Sequence, residues 1–410
     1  MRTYLKTHAW LRFALDMRSA PTTLWLSLGE AQSKCEHLAG IPLQPDTAKA
    51  LHKVYLAKGV LATTAIEGNT LSEEEVLQLL DNKELKLPPS REYQKREINN
   101  IVTAFNSMLE PIERGEITPL SPAIICKFNS QILKDLETGE GVMPGEIRRD
   151  GRVVGRYRCP PAEDCSYLLT RFCNWINSSE FQPEKNQGIV CGIIKAIVAH
   201  IYFVWIHPFG DGNGRTARLL ELKFLMEAGV PSDAAHLLSN HYNQTRPQYY
   251  NFLDLASKHN GDFMPFIEYA VIGFVDQLRE QINIIRRQQI DVTWINYVHS
   301  QFQNDKSPSG RRRRDLVLAL PAGRATRKSE IPRLSPELAT AYVDKTAKTV
   351  SRDINALIEM GLIRRVRGGY IAGKDEILAF LPIRKPELPV RGSGLAIGEA
   401  STPIEQLSLI

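Results

Sequence analysis

The segment 207–218, HPFGDGNGRTAR, holds a histidine, an aspartate, two arginines and three glycines at alternate positions. Gly210, Gly212 and Gly214 can take backbone angles closed to other residues. Successive N–H groups can therefore turn toward one point and cradle an anion. A helix predicted to begin near Gly214 aims its positive end at the same point. Arg215 and Arg218 are three apart and can share a face of that helix. A polyphosphate suits such a set of donors. Asp211 would repel it unless a cation, Mg2+ or alternatively Mn2+, lies between the carboxylate and the phosphate oxygens. His207, just outside the cradle, has the chemistry to take a proton from an attacking hydroxyl. A P-loop is excluded because no Lys-Ser/Thr pair follows the glycines, and an EF-hand because it needs a longer run of acids. A dinucleotide fingerprint would follow a strand, whereas this segment follows a helical run. The plain alternative is a glycine-rich interhelical loop with a capping aspartate.

Helices must position this loop. Residues 188–206, GIVCGIIKAIVAHIYFVWI, run directly into His207 and are long and apolar enough to raise a membrane span. Lys195 and His200 at mid-depth argue instead for the buried central helix of a soluble helical domain. After the loop a second helix runs from Gly214 to Ala228, with Gly229 as its stop. Upstream, apolar spacing at Ala48, Leu51, Val54, Tyr55, Val60 and Leu61 predicts a helix over 45–66. It stops at Glu67-Gly68-Asn69, with Gly68 as a left-handed cap. Ser72 and Glu75 have the spacing of a capping box for the next helix. One stretch departs from the helical pattern: 151–161, GRVVGRYRCPP, reads as a short hairpin. Residues 262–303 read as one or two bridging helices, 304–310 as a linker, and the Pro-, Gly- and Ser-rich end as a flexible tail.

The segment 207–218 resembles the motif of the Fic family, HxFx[DE]GN[GK]RxxR, and matches at every fixed position. The resemblance extends over roughly residues 40–275. It implies a mainly α fold with a β-hairpin flap, and an enzyme that transfers AMP from ATP to a Ser, Thr or Tyr hydroxyl of a target protein. It implies His207 as general base, a buried Phe209 and Asp211 as the Mg2+ ligand. Gly212, Asn213, Gly214, Arg215 and Arg218 would serve the phosphates, Arg218 taking the γ-phosphate. The flap would be Val154, Gly155, Arg156 and Tyr157, pairing with the target backbone by strand addition. Tyr250 is the expected adenine contact. TTAIEGN, with Thr63, Glu67 and Gly68, is similar to the family's inhibitory motif, which implies that Glu67 competes with the γ-phosphate for Arg218. Relatives that act as kinases usually have Lys where Gly214 stands, which argues against that activity.

The chain has 410 residues, a formal charge of +5 and 43% hydrophobic residues, so sizeable cores in two or three domains are expected. The six cysteines form no CxxC pair and no signal peptide is recognisable, as for a cytoplasmic protein without a membrane role. The expected division is 1–105 (N-terminal helical region), 106–275 (Fic-like domain), 276–310 (connector and linker), 311–382 (winged-helix-like domain) and 383–410 (tail). Residues 311–374 carry fifteen Lys/Arg against six Asp/Glu. On a helical wheel Lys345, Lys348 and Arg352 fall on one face, with Val350, Ile354, Leu357 and Ile358 opposite. A glycine-tipped hairpin with Arg364, Arg365 and Arg367 follows, in the pattern of a recognition helix and wing. Expected partners are ATP and a hydroxyl-bearing target protein. The chain itself as target, a second copy in a homodimer and DNA are further candidates. Two other functions fit the same residues: removal of AMP from a modified protein, and a nucleotide-sensing DNA-binding regulator.

Overall fold

The computed structural model describes residues 2–42, 45–83, 85–321 and 323–378. Among them the regular structure is helical apart from two antiparallel pairs of short strands. The chain divides into two compact units, Met1–Ile285 and Arg286–Ile410. Helices of seven or more residues are numbered here in chain order.

The first unit contains α1 (Thr22–Ala39), α2 (Pro45–Ala65), α3 (Glu73–Leu80), α4 (Glu92–Glu113) and α5 (Pro122–Ile132). A hairpin follows, β1 (Val153–Val154) and β2 (Tyr157–Arg158). Then come α6 (Ala162–Ile176), α7 (Gly188–Ile206), α8 (Asn213–Glu227), α9 (Leu237–Gln244), α10 (Arg246–Lys258) and the start of α11 (Met264–Gln301). Helix α7 is apolar on all sides because it is buried along most of its length by the rest of the unit. Each fully buried Ile, Val or Phe on it contributes roughly 1.5–3 kcal/mol. Lys195 is only partly buried, its ammonium 4.6 Å from the centre of the Phe224 ring, and that burial holds its pKa below the ordinary value. Helices α7 and α8 touch at Gly192, where any Cβ would lie 2.1 Å from that of Ala228. The predicted capping box is present: Ser72 Oγ accepts from the Glu75 N–H, and Glu75 accepts from the Ser72 N–H. Gly229, at φ +84°, ends α8.

In the second unit Trp294, Val298 and Phe302 share a core with α12 (Pro308–Ala319), α13 (Pro336–Tyr342), α14 (Ala347–Glu359) and the hairpin β3 (Ile363–Val366) and β4 (Gly369–Ala372). Thr326 pairs with Tyr370 through two backbone hydrogen bonds of 2.9 Å, adding a third extended segment beside β4.

The expected and observed boundaries differ in instructive ways. Position 105/106 falls inside α4, and both sides of it belong to one core. Residues 304–310 are not a free linker. Ser307 caps α12 by accepting from the Gly310 N–H at 3.0 Å, and Pro308 sits at the first helical position. The single helix α11 runs to Gln301, so the connector is itself part of the second core. On α14, Ile358 is exposed while Val350, Ile354 and Leu357 are buried, because the apolar stripe there is only three residues wide. The expected tail, 383–410, lies outside the described residues.

Candidate active site

The loop between α7 and α8 begins with a strained residue. His207 has φ +48° and ψ +59°, a left-handed conformation that costs a non-glycine residue on the order of 1 kcal/mol or more. Neighbours hold it there. Arg148 donates its Nε–H to the His207 carbonyl at 2.8 Å and its backbone N–H to the Pro208 carbonyl at 2.9 Å. Asn213 braces the loop from inside: its Oδ1 accepts from the Phe209 N–H at 3.0 Å and its Nδ2 donates to the Phe209 carbonyl at 2.9 Å. Asn129 donates to the Asp211 carbonyl at 2.9 Å. Phe209 is buried, as expected. Gly212, at φ +75°, has no room for a Cβ, which would lie 2.8 Å from Asn129 Nδ2.

The His207 ring faces a cleft of about 620 Å³. Its Nδ1 lies 3.3 Å from the Val204 carbonyl, the pairing of an Nδ1–H tautomer that leaves Nε2 as the free acceptor. Burial, with Arg148 adding to it, pulls the His207 pKa down from 6.5 to about 4, so the ring is a neutral base at neutral pH.

Across the cleft α2 ends against α8. Glu67 accepts a hydrogen bond from Arg218 Nη2 at 2.5 Å, and the same nitrogen donates to the Thr63 carbonyl at 3.0 Å. Other carbonyls at the end of α2 are met by Arg246, 3.3 Å from Ala65 O, and Tyr250, 3.4 Å from Ile66 O. Gly68, at φ +106°, lets the chain leave the helix there. Burial opposes ionisation of Glu67, but the charge and hydrogen bond of Arg218 outweigh it and hold the carboxyl below its ordinary pKa. The Glu67 Oε1 lies 2.2 Å from where a Cβ on Gly214 would be. The carboxylate therefore covers the start of α8, where no side chain caps the helix and the free amides attract an anion.

The hairpin closes one side. Val153 pairs with Arg158 and Val154 with Tyr157, with Gly155 at the tip at φ +59°. Val153 and Val154 are exposed and leave an edge free for a further strand. Tyr157 ties the hairpin down by donating to the Trp205 carbonyl at 2.8 Å. Arg148 fastens its two ends, donating to Asp150 O at 2.5 Å and to Pro160 O at 2.6 Å.

Of the residues singled out in the sequence, Glu67, Val154, Gly155, Arg156, Tyr157, His207, Gly214, Arg218 and Tyr250 line this cleft. Thr63 contributes its carbonyl beneath Arg218. Asn213 is committed to the loop interior. Arg215 turns away under α8, paired with Glu97 and 3.1 Å from Asp211. Asp211 is about half exposed, and no group of three or more metal-ligating side chains occurs among the described residues. One carboxylate of this kind fits Mg2+ that takes its other ligands from phosphate oxygens and water. Sequence reasoning missed Glu97, Asn129, Arg148 and Arg246. Each acts on a backbone or side-chain group distant in sequence, and no local spacing marks it. A larger open groove of about 930 Å³ lies beside Trp10, Arg12 and Trp25 and includes none of the loop residues.

Residues 119–225 match the model of the Fic/DOC family. The chain is 28% identical over 244 residues to a protein adenylyltransferase Fic of Drosophila ananassae, covering 59% of this chain and 45% of that one. It is 30% identical over 227 residues to its counterpart in Aedes aegypti, covering 54% and 40%. The chain thus spans less than half the length of these curated relatives. Among solved structures, a Fic family protein of Desulfovibrio desulfuricans is similar over 86% of this chain and 94% of that one, with a TM-score of 0.54 and 20% identity. The Fic-1 fragment of C. elegans is similar over 65% and 73%, with a TM-score of 0.52 and 22% identity. At these identities the two structures speak for the fold alone.

Proposed function

We propose that this chain, which carries a Fic domain, is an ATP-dependent protein adenylyltransferase held in check by Glu67. The observation that carries the reading is the meeting of three groups in one cleft. A neutral His207 and the uncapped start of α8 face the Arg218 guanidinium that Glu67 engages.

In this reading the triphosphate lies over Gly212 and Gly214, its charge stabilised by the amides at the start of α8. The exposed edge of β1 aligns an extended segment of the target. His207 Nε2 takes the proton from the target hydroxyl as the oxygen attacks the α-phosphorus, and pyrophosphate leaves. Asp211 would hold Mg2+, which supplies charge neutralisation at the phosphates. With Glu67 on Arg218 and over Gly214, the γ-phosphate loses its guanidinium and the triphosphate cannot lie in line for attack. Removal of AMP is the second reading, favoured by the partial exposure of the Glu67 carboxylate to the cleft, where it could orient water.

Intact-mass measurement after incubation with ATP and Mg2+ tests both. Glu67→Gly should gain the mass of AMP well ahead of the wild type, and His207→Ala should gain none. A Glu67→Gly chain that never modifies itself or an added protein, while the wild type strips AMP from that modified protein, would replace the first reading with the second.

A further inference from the structure

Helix α14 sorts its charges by side. Asp353 is 1% exposed and points inward, where Arg312, Arg313 and the Tyr342 hydroxyl all bind it at 2.7–3.0 Å. The outward face carries Lys348, Ser351, Arg352 and Asn355, which with Glu359 line an open groove of about 400 Å³. Lys345 stands exposed just before the helix. On the adjoining hairpin Arg365 and Arg367 are exposed, the latter beside the turn at Gly368, φ +98°. Among the described residues none of Lys345, Lys348, Arg352, Arg365 and Arg367 forms an ion pair, whereas Arg364 is held by Asp375. The exposed acids Asp344 and Glu359 stand at the two ends of the helix, so its first three turns present no carboxylate to solvent. An inward acid neutralised by two arginines and an outward row of unpaired cations is the charge arrangement of a face that meets a polyanion.

The architecture restricts which polyanion. Three helices, a segment paired to the hairpin through Thr326 and Tyr370, and a two-stranded projection place α14 and the β3–β4 turn in one compact unit. A helix with its side chains is about 10–12 Å across, the width of the major groove of B-form DNA. The A-form groove of duplex RNA is too narrow and deep to admit it. Between the cations, the exposed Asn355 presents an amide of the kind that reaches base edges, while the Ser351 hydroxyl is held by the Ala347 carbonyl and the Lys328 ammonium. We propose that the second unit binds duplex DNA, with the outward face of α14 in the major groove and Arg365 and Arg367 on the flanking backbone. This is independent of the adenylyl-transfer chemistry.

With Lys345, Lys348 and Arg352 meeting the phosphates that line the groove and Arg365 and Arg367 those beside it, five phosphate contacts imply that log K falls with log salt at a slope of about −4.5, or roughly a 500-fold loss of affinity between about 50 and 200 mM salt. The test is fluorescence anisotropy of the full chain with a labelled duplex of about two helical turns. The exposed triple variant Lys345→Gln/Lys348→Gln/Arg352→Gln should weaken binding by at least about 100-fold and flatten the slope by about 3. Its unfolding curve should match the wild type. A charge-matched control in the first unit, Lys6→Gln/Lys127→Gln/Lys185→Gln, should bind as the wild type does. Three results would each overturn the proposal. They are no binding of the duplex at about 50 mM salt, a folded α14 variant that binds as well as the control, and equal affinity for duplex RNA or heparin.

Discussion

If Glu67 acts by occupying the start of α8, the brake can be released without touching Glu67 or Arg218. A Cβ on Gly214 would lie 2.2 Å from Glu67 Oε1 but 3.2 Å and 3.3 Å from the Arg218 guanidinium nitrogens. Gly214→Ala therefore evicts the carboxylate, while Arg218 needs to give by only a few tenths of an ångström. The cost falls on the Glu67–Arg218 hydrogen bond, 2.5 Å long with the Glu67 side chain 32% exposed. A charge-assisted bond is worth about 1.5–3 kcal/mol, and solvent screening at the open side lowers this to about 1–2 kcal/mol. The released state should become roughly 5–30 times more populated, and self-modification with labelled ATP should accelerate by that factor. Alanine also favours the helix over glycine by up to about 1 kcal/mol, so overall stability should change little. In a Glu67→Gly background the same substitution has no carboxylate to displace and should add nothing. The reasoning is refuted if Gly214→Ala leaves the wild-type rate unchanged. It is refuted differently if the substitution slows both backgrounds equally, because the methyl group would then be obstructing the nucleotide and not the brake.

Other perturbations follow from the same geometry. Arg148→Ala should loosen the strained His207 and both ends of the hairpin together. A loss in kcat of about 10²-fold is expected, exceeding the change in the Km for ATP, and single-turnover and steady-state kinetics on the Glu67→Gly chain would separate the two. The pH profile of kcat/Km should stay level down to about pH 5 and fall toward pH 4, because burial favours the neutral ring and protonation removes the base. An acid limb near the ordinary 6.5 would place the ring in solvent. The same shift means that burying neutral His207 costs stability only as pH falls below 6.5, reaching its full cost below about 4. Asp353→Ala should destabilise the second unit by about 3 kcal/mol or more, since it leaves two arginines and a buried tyrosine hydroxyl without their acceptor. Calorimetry should show that loss, with adenylyl transfer unaffected. Arg312 and Arg313 hold the Asp353 carboxyl below its ordinary pKa against the effect of burial, so the contribution is present at neutral pH and lost on acidification.

The features legible in the sequence are those whose causes are local. Alternating glycines, a capping pair three residues apart and a glycine after an apolar run act within one or two turns of backbone. The α7–loop–α8 unit, the Ser72 cap, the end of α2 and the hairpin at 153–158 accordingly stand where their residues predict them. Continuous hydrophobicity in residues 188–206 could not by itself distinguish a lipid environment from a protein core. The burial of α7 by the helices around it, α8 among them, decides that. Ser307-Pro308 has the composition of a linker, and its value as a cap depends on α12 having a core to join.

Tertiary structure alone decides which way the polar side chains turn. From spacing, Arg215 and Arg218 are equivalent neighbours on one face. Glu97, 118 positions away, draws Arg215 under the helix, while Glu67, 151 positions away, holds Arg218 at the cleft. Arg148 has no local mark among the basic residues around it, yet it pins His207 and both ends of the hairpin. A charged group buried beside the backbone must find partners wherever the fold brings them. Those partners are chosen by the packing of whole helices, which the identity of neighbouring residues does not encode.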